Sequence, residues 1–234
     1  MKIIISSLRR LSFELNRASE AVFWAKKIKD RFGIPSKAAS NVDQIHWILR
    51  ETYNILYPIP PELIKACEIS AFIFRFLGIS KPKFPNHGYY REGDKSITLN
   101  TDIFIHPDQP EDFIDDKGYF LTRAEETLLH EMGHSLDAAL GNISTQSAWM
   151  KLSGWSKEPK PGLERLCIKD KGTPDVIGEM YYDPKFKADG FTRFYARRNP
   201  WDDFADSFSM WLGLKDKVPA TKARYLDNLL KKYY

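Results

Sequence analysis

The feature that most constrains this chain is one capped amphipathic helix near its middle. Thr122 and Glu125 form a capping-box pattern, in which a hydroxyl and a carboxylate three residues later satisfy free backbone N–H groups. Gly141 follows as a stop signal, so the pattern predicts a helix over residues 123–140. The apolar positions recur at helical spacing as one stripe: Leu129, Met132, Leu136, Ala139 and Leu140. Such a helix buries its apolar stripe in the core, and its opposite face is then available to line a cleft.

The face opposite the stripe carries the sequence His130-Glu-Met-Gly-His134. Side chains four residues apart lie about 40° apart around a helix, so both imidazoles point the same way and can bind one zinc ion. Glu131 lies ~100° further around the axis, where it can act as general base on a zinc-bound water. The spacing therefore predicts a zinc site with His130 and His134 as ligands and Glu131 as a catalytic group.

A catalytic zinc site needs a third protein ligand and keeps one position open for water. Metzincins place Gly and His downstream of the motif. Asp137 and Leu140 stand at those positions here, which excludes that class. The third ligand must come from further along the chain.

A second stretch carries a family resemblance. Residues 202–208 read Asp-Asp-Phe-Ala-Asp-Ser-Phe and follow Tyr195. Together with residues 129–137, this stretch resembles the gluzincin-like peptidases related to anthrax lethal factor and the Pro-Pro endopeptidases. In that family an HExxH helix is followed by a Tyr-(six residues)-Glu pattern, and the carboxylate opens a second helix. Tyr195 and Asp202 have this spacing.

The resemblance implies a zinc-dependent endopeptidase of zincin-like fold that acts on protein or peptide substrates. It implies Asp202 as the third zinc ligand, Tyr195 as hydrogen-bond donor to the oxyanion, and Glu131 as base. The family has Glu where this chain has Asp202. Because Asp is one methylene shorter, its helix must lie closer to the metal.

Three further aspartates are candidates for the site. Asp206 shares a helix face with Asp202, and Asp137 lies one turn beyond the histidines, so either could hold a ligand from outside the metal shell. Solvation alone would also explain both. Asp175 is an alternative metal ligand, since Gly172-Thr-Pro-Asp175 matches the first part of an aspzincin signature. The second part fails, and a turn explains that stretch without metal.

The order of elements predicts an α+β, zincin-like fold: a helical N-terminal part, a small mixed sheet, the HExxH helix and a helical C-terminal part. We expect residues 1–80 to form a helical region packed on a catalytic domain of residues 81–234. Predicted helices cover Ser19–Arg31, Val42–Leu56, Leu63–Leu77, Trp201–Leu212 and Thr221–Lys232. Predicted strands are Tyr89–Arg91, Ser96–Leu99 and Asp102–Ile105, the last two as candidate edges for an extended substrate.

Composition argues against nucleic acid and membranes as partners. Residues 1–90 hold 14 basic and 7 acidic side chains, which a solvated helical surface explains, and no nucleic-acid motif accompanies them. The sequence shows neither a signal-peptide pattern nor ~20 consecutive apolar residues, so it predicts no membrane partner and a cytoplasmic protein by default. Two alternatives stay open: a zincin-fold binding protein with weak catalysis, or an effector or toxin delivered by a specialised route.

Overall fold

Helices form the amino-terminal part of the chain. The computed structural model describes residues 2–38, 45–75, 87–105, 121–169, 176–187, 190–192 and 195–234. The first three helices are α1 (Lys2–Phe32), α2 (Ile45–Leu56) and α3 (Pro61–Ala66). Ile28 and Phe32 near the end of α1 are buried in the core that α2 and α3 share. The helices predicted over residues 19–31 and 42–56 are therefore confirmed for their described residues.

A mixed four-stranded sheet follows, built from β1 (Ser36–Ala38), β2 (Ala71–Arg75), β3 (Gly88–Arg91) and β4 (Ser96–Asn100). The strand order is β1-β2-β4-β3. β1, β2 and β4 are parallel, whereas β3 pairs antiparallel with β4 as the hairpin pattern predicted. β3 is therefore an edge strand and β4 is internal.

One predicted helix is wrong in its second half. The pattern over Leu63–Leu77 predicted a single helix, but α3 ends at Ala66 and residues 71–75 form β2. Glu68 takes a φ of 53°, a left-handed conformation that interrupts the helix. The apolar run of β2 is short and mostly buried, and periodicity does not separate helix from strand in runs of this kind.

The predicted substrate edges are also wrong. Ser96–Leu99 lies within β4, which is buried along its whole length and paired on both sides. Residues 102–105 form the short helix α4 (Asp102–Ile105) rather than a strand. Asp102 occupies the first turn of α4, where a carboxylate favours a helix over a strand.

The second half of the chain contains the long helix α5 (Arg123–Ala139), the short helix α6 (Ser147–Leu152), and a small sheet of order β5-β7-β6. Its strands are β5 (Trp155–Ser156), β6 (Glu164–Lys169) and β7 (Val176–Tyr182). Two helices close the chain: α7 (Pro200–Gly213) and α8 (Ala220–Leu230). The predicted α+β class and the order of its main parts agree with this arrangement.

The main core joins elements from both ends of the chain. Phe72 of β2, Leu128 of α5 and Phe208 of α7 belong to one buried cluster. The sheet takes strands from both sides of residue 80, and a domain boundary at that residue stays a prediction. Among the described residues, no helix combines the length and apolar character needed to cross a membrane.

Candidate metal centre

Two helices form the centre, and small residues let their backbones meet. A Cβ atom added to Gly133 of α5 would lie 2.7 Å from the Cα atom of Ala205 in α7. That separation is far below van der Waals contact, so only glycine fits at this crossing. The close approach explains how the short side chain of Asp202 reaches the histidine face of α5.

α5 begins at the predicted residue, and α7 begins at Pro200, one residue before the predicted start. The Thr122 hydroxyl accepts a hydrogen bond from the Glu125 N–H, and the Glu125 carboxylate accepts one from the Thr122 N–H. Asn199 caps α7 by accepting the Asp202 N–H, and Pro200 occupies the first helical position. These caps fix where each helix starts, and therefore which face carries the histidines and the aspartates.

The structure brings His130, His134 and Asp202 together as one potential metal-binding group. The Nε2 atoms of the two histidines are 3.0 Å apart. Asp202 Oδ1 lies 3.3 Å from Nε2 of His134 and 3.7 Å from Nε2 of His130. Ligand atoms placed ~2.0–2.1 Å from a tetrahedral zinc ion are about 3.3–3.4 Å from each other. The three donor atoms therefore have the mutual spacing that such an ion requires.

Asp206 contacts the other side of His130. Its Oδ1 lies 2.6 Å from the Nδ1 atom of the imidazole, and its side chain is fully buried. A carboxylate can only accept here, so Nδ1 carries the proton and donates it to Asp206. Once Nε2 loses its proton, its lone pair faces Asp202 and His134. This is the tautomer that a metal-binding histidine needs, held by a carboxylate outside the ligand set.

The buried charges around His130 shift its ionisation. Burial alone would lower the pKa of the imidazole, but the carboxylates of Asp206 and Asp202 raise it to about 10. Burial likewise opposes ionisation of Asp202, yet its hydrogen bonds to His130 and His134 hold the pKa of that carboxyl far below its usual range. A cation that binds at this group must therefore displace a proton from an imidazole.

Glu131 is buried beside the group, against the edge strand. Its Oε2 accepts a hydrogen bond of 2.7 Å from the backbone N–H of Tyr90 in β3. Its charge also contributes to the raised pKa of His130, its neighbour in α5. The contact with Tyr90 orients one carboxylate oxygen and ties the centre to the edge strand β3 of the described sheet.

Tyr195 lies at the mouth of the centre, at the start of a 3-10 turn (Tyr195–Arg197). Its ring packs edge-on to His130 with 5.5 Å between centroids, and the residue is 38% exposed. The guanidinium carbon of Arg198 lies 4.5 Å from the centre of the Tyr195 ring. Burial and the charge of Asp202 raise the pKa of the phenol, so its O–H stays a donor at neutral pH.

The remaining candidates lie elsewhere. Asp137 is buried and accepts both the N–H and the hydroxyl of Ser144, at 2.7 and 2.6 Å, so it fixes the turn after α5. Its contacts are with the backbone and hydroxyl of Ser144. Asp175 lies outside the described residues.

Sequence reasoning missed three contributors to the centre: Gly133 as the contact point of the helices, the Tyr90 N–H, and the side-chain amide of Asn199. Only Asn199 has a local signal in the sequence, because Asn followed by Pro commonly starts a helix. No protein-family model and no curated protein sequence matches this chain.

Proposed function

We propose that this chain is a zinc-dependent endopeptidase. The observation that carries the proposal is the convergence of His130, His134 and Asp202, with Glu131 and Tyr195 close to His130. A zinc ion held by these three side chains would polarise a peptide carbonyl and lower the pKa of a water molecule towards ~7. The buried position of Asp206 supports a specific metal site over adventitious binding, because it fixes the tautomer of a ligand histidine.

Glu131 acts as the general base. One of its oxygens accepts the Tyr90 N–H, which leaves the other to take a proton from the attacking water and pass it to the leaving amine. Tyr195 keeps its proton at neutral pH and donates a hydrogen bond to the developing oxyanion. A donor of this kind contributes about 3 kcal/mol where it has been deleted in other enzymes.

The substrate lies extended along β3 and adds a further strand to the sheet. The Asn100 N–H bonds to the His87 carbonyl, so the alternation of an antiparallel pair turns the backbone groups of Gly88 and Tyr90 away from β4. The Tyr90 N–H already bonds to Glu131, and the Gly88 groups and the Tyr90 carbonyl point to the same side, where a substrate strand would pair. β3 therefore replaces the two edges predicted from sequence.

The test is a peptide-library digest with zinc-loaded protein, run beside metal analysis. We expect wild type to cleave peptides, and Glu131→Gln to keep its zinc and lose at least about 100-fold in rate. Glu158→Gln, at an exposed position, is the matched control and should cleave normally. Full activity in Glu131→Gln would overturn the mechanism.

A second candidate is a zincin-fold binding protein or delivered effector with weak catalysis. The observation that favours it is Asp202, which stands where the similar peptidases have Glu. Zinc binding by wild type without any cleavage in the library would support this alternative. Tyr195→Phe further separates the peptidase from the weak or non-catalytic protein, because loss of a catalytic donor lowers kcat more than it changes KM.

A further inference from the structure

Asn199 makes two different contacts with one residue, the candidate ligand Asp202. Its side-chain oxygen accepts the Asp202 N–H at 2.7 Å, and its side-chain nitrogen donates to Asp202 Oδ2 at 2.7 Å. The first contact is an ordinary helix cap. The second contact is made to the carboxylate oxygen that does not face the histidines.

The two contacts determine each other. The fixed N–H of Asp202 requires the amide oxygen of Asn199 on that side, which places the NH₂ group against the carboxylate. A flipped amide would set a donor against a donor and an acceptor against an acceptor. Pro200 restricts the backbone between the two residues. The amide therefore has one stable orientation.

A short ligand side chain needs this support. The Asp202 carboxylate can turn about its last bond, and only one rotation points Oδ1 between His130 and His134. Arg198 also lies 4.0 Å from Oδ2, but its side chain is 56% exposed. The Asn199 amide is the closer donor to this oxygen.

We propose that Asn199 is a positioning residue for the metal ligand, which orients the Asp202 carboxylate towards the two imidazoles. This inference rests on the metal site of the proposed function. It assigns to Asn199 a role beyond capping, because among the good cap residues only Asn offers an amide donor together with the cap acceptor.

The test compares two variants that remove the amide and keep a good cap. Asn199→Ser places a hydroxyl oxygen at the cap position, and Asn199→Gly costs a cap only a few tenths of a kcal/mol. Asn228→Ser, on the exposed side of α8, is the matched control. Zinc Kd is measured by chelator competition, and thermal unfolding is measured on metal-free protein.

We expect both variants to raise the zinc Kd about 10-fold or more, while the metal-free melting temperature stays close to that of wild type. The visible absorption of bound Co²⁺ should also change, since it reports ligand geometry. An unchanged Kd, or a loss of affinity that only follows a loss of helix stability, would reduce Asn199 to a cap. Failure of wild type to bind zinc is a separate result and would overturn the metal site itself.

Discussion

Two neighbouring aspartates of α7 lie in two very different environments. Asp202 faces the imidazoles of His130 and His134 beside a partly exposed Tyr195. Asp203 pairs with Lys222 of α8, and both side chains are completely buried. Because consecutive residues point ~100° apart on a helix, one segment serves both clusters.

The Lys222 cluster is closed on all the sides that the structure describes. Asp203 also accepts hydrogen bonds from Ser153 at 2.5 Å and from the Trp155 indole at 3.3 Å. The Lys222 ammonium lies 4.8 Å from the centre of the Phe191 ring. The Lys222 ammonium fills this position and fastens α8 and β5 to α7, although burial lowers its pKa.

The comparison shows what separates a structural charge pair from a candidate binding centre. Lys222 is part of the chain and has no access to solvent, and its contact with Asp203 joins α8 to α7. His130 holds a proton that a metal ion can displace, and the side chain of His134 is 17% exposed. An exchangeable proton and an opening are what a metal centre needs.

The largest expected effect comes from breaking the closed pair. Lys222→Met should lower the free energy of unfolding by about 3–5 kcal/mol, because it leaves the Asp203 carboxylate buried without its cation. Chemical denaturation measures the change. The double variant Lys222→Met with Asp203→Asn should recover part of the loss. Unfolding of the single variant at the wild-type denaturant concentration would contradict the structural role.

Asp202→Ala should act on the metal and not on the fold. We expect the zinc Kd to rise more than about 100-fold, since loss of a ligand exceeds the 10–100-fold cost of losing an outer partner. Chelator competition measures it, with Asp216→Ala as an exposed control. The metal-free protein should lose less stability than Lys222→Met. Equal zinc affinity in Asp202→Ala and wild type would exclude this carboxylate as a ligand.

Asp206→Asn tests the partner of the ligand histidine. The amide oxygen can still accept from His130 Nδ1, but the negative charge is lost, so we expect a rise in zinc Kd of about 10-fold. Isothermal titration calorimetry gives the value. A Kd within twofold of wild type would show that the charge of Asp206 does not tune the imidazole.

The smallest expected effect is the number of protons released when zinc binds. Carboxylates raise the pKa of metal-free His130 to about 10, so zinc binding near pH 7.5 should release about one proton. Affinity should fall about tenfold for each unit by which the pH is lowered. Calorimetry in buffers of different ionisation enthalpy measures the release, which should be unchanged in folded Lys222→Met. Zero release would contradict the assignment of that proton to His130.

Loss of the His130 proton with rising pH lowers the stability of the metal-free protein, whereas it increases zinc affinity. A folded-state pKa above the unfolded value of about 6.5 stabilises the fold below that pH. This contribution is lost as the pH rises through 10. Metal-free protein should therefore lose stability over the range in which zinc affinity increases.

The histidine helix could be predicted from sequence because its signals are local. The capping box at Thr122, the stripe of α5 and the cap at Asn199 each depend on residues a few positions apart. The position of Asp202 beside His130 and His134 could be predicted only from the resemblance to a peptidase family, because no local helix pattern relates these residues. Its physical basis, the contact of Gly133 with Ala205, joins residues distant in the chain.

The sheet was harder to predict for a physical reason. A short apolar run such as β2 suits a buried helix or a buried strand, and only its neighbours decide. Likewise, β3 is the edge because β4 pairs with β2 on its other side. The pairing of Lys222 with Asp203 is equally invisible in sequence, since 19 residues separate them.

The most direct measurement is a zinc titration of metal-free protein by chelator competition, comparing wild type with His134→Ala. We predict one tightly bound zinc per wild-type chain and binding weakened more than about 100-fold in the variant. Wild type that takes up no zinc, or a variant that binds as well as wild type, would contradict the assignment of His130, His134 and Asp202 as a metal centre.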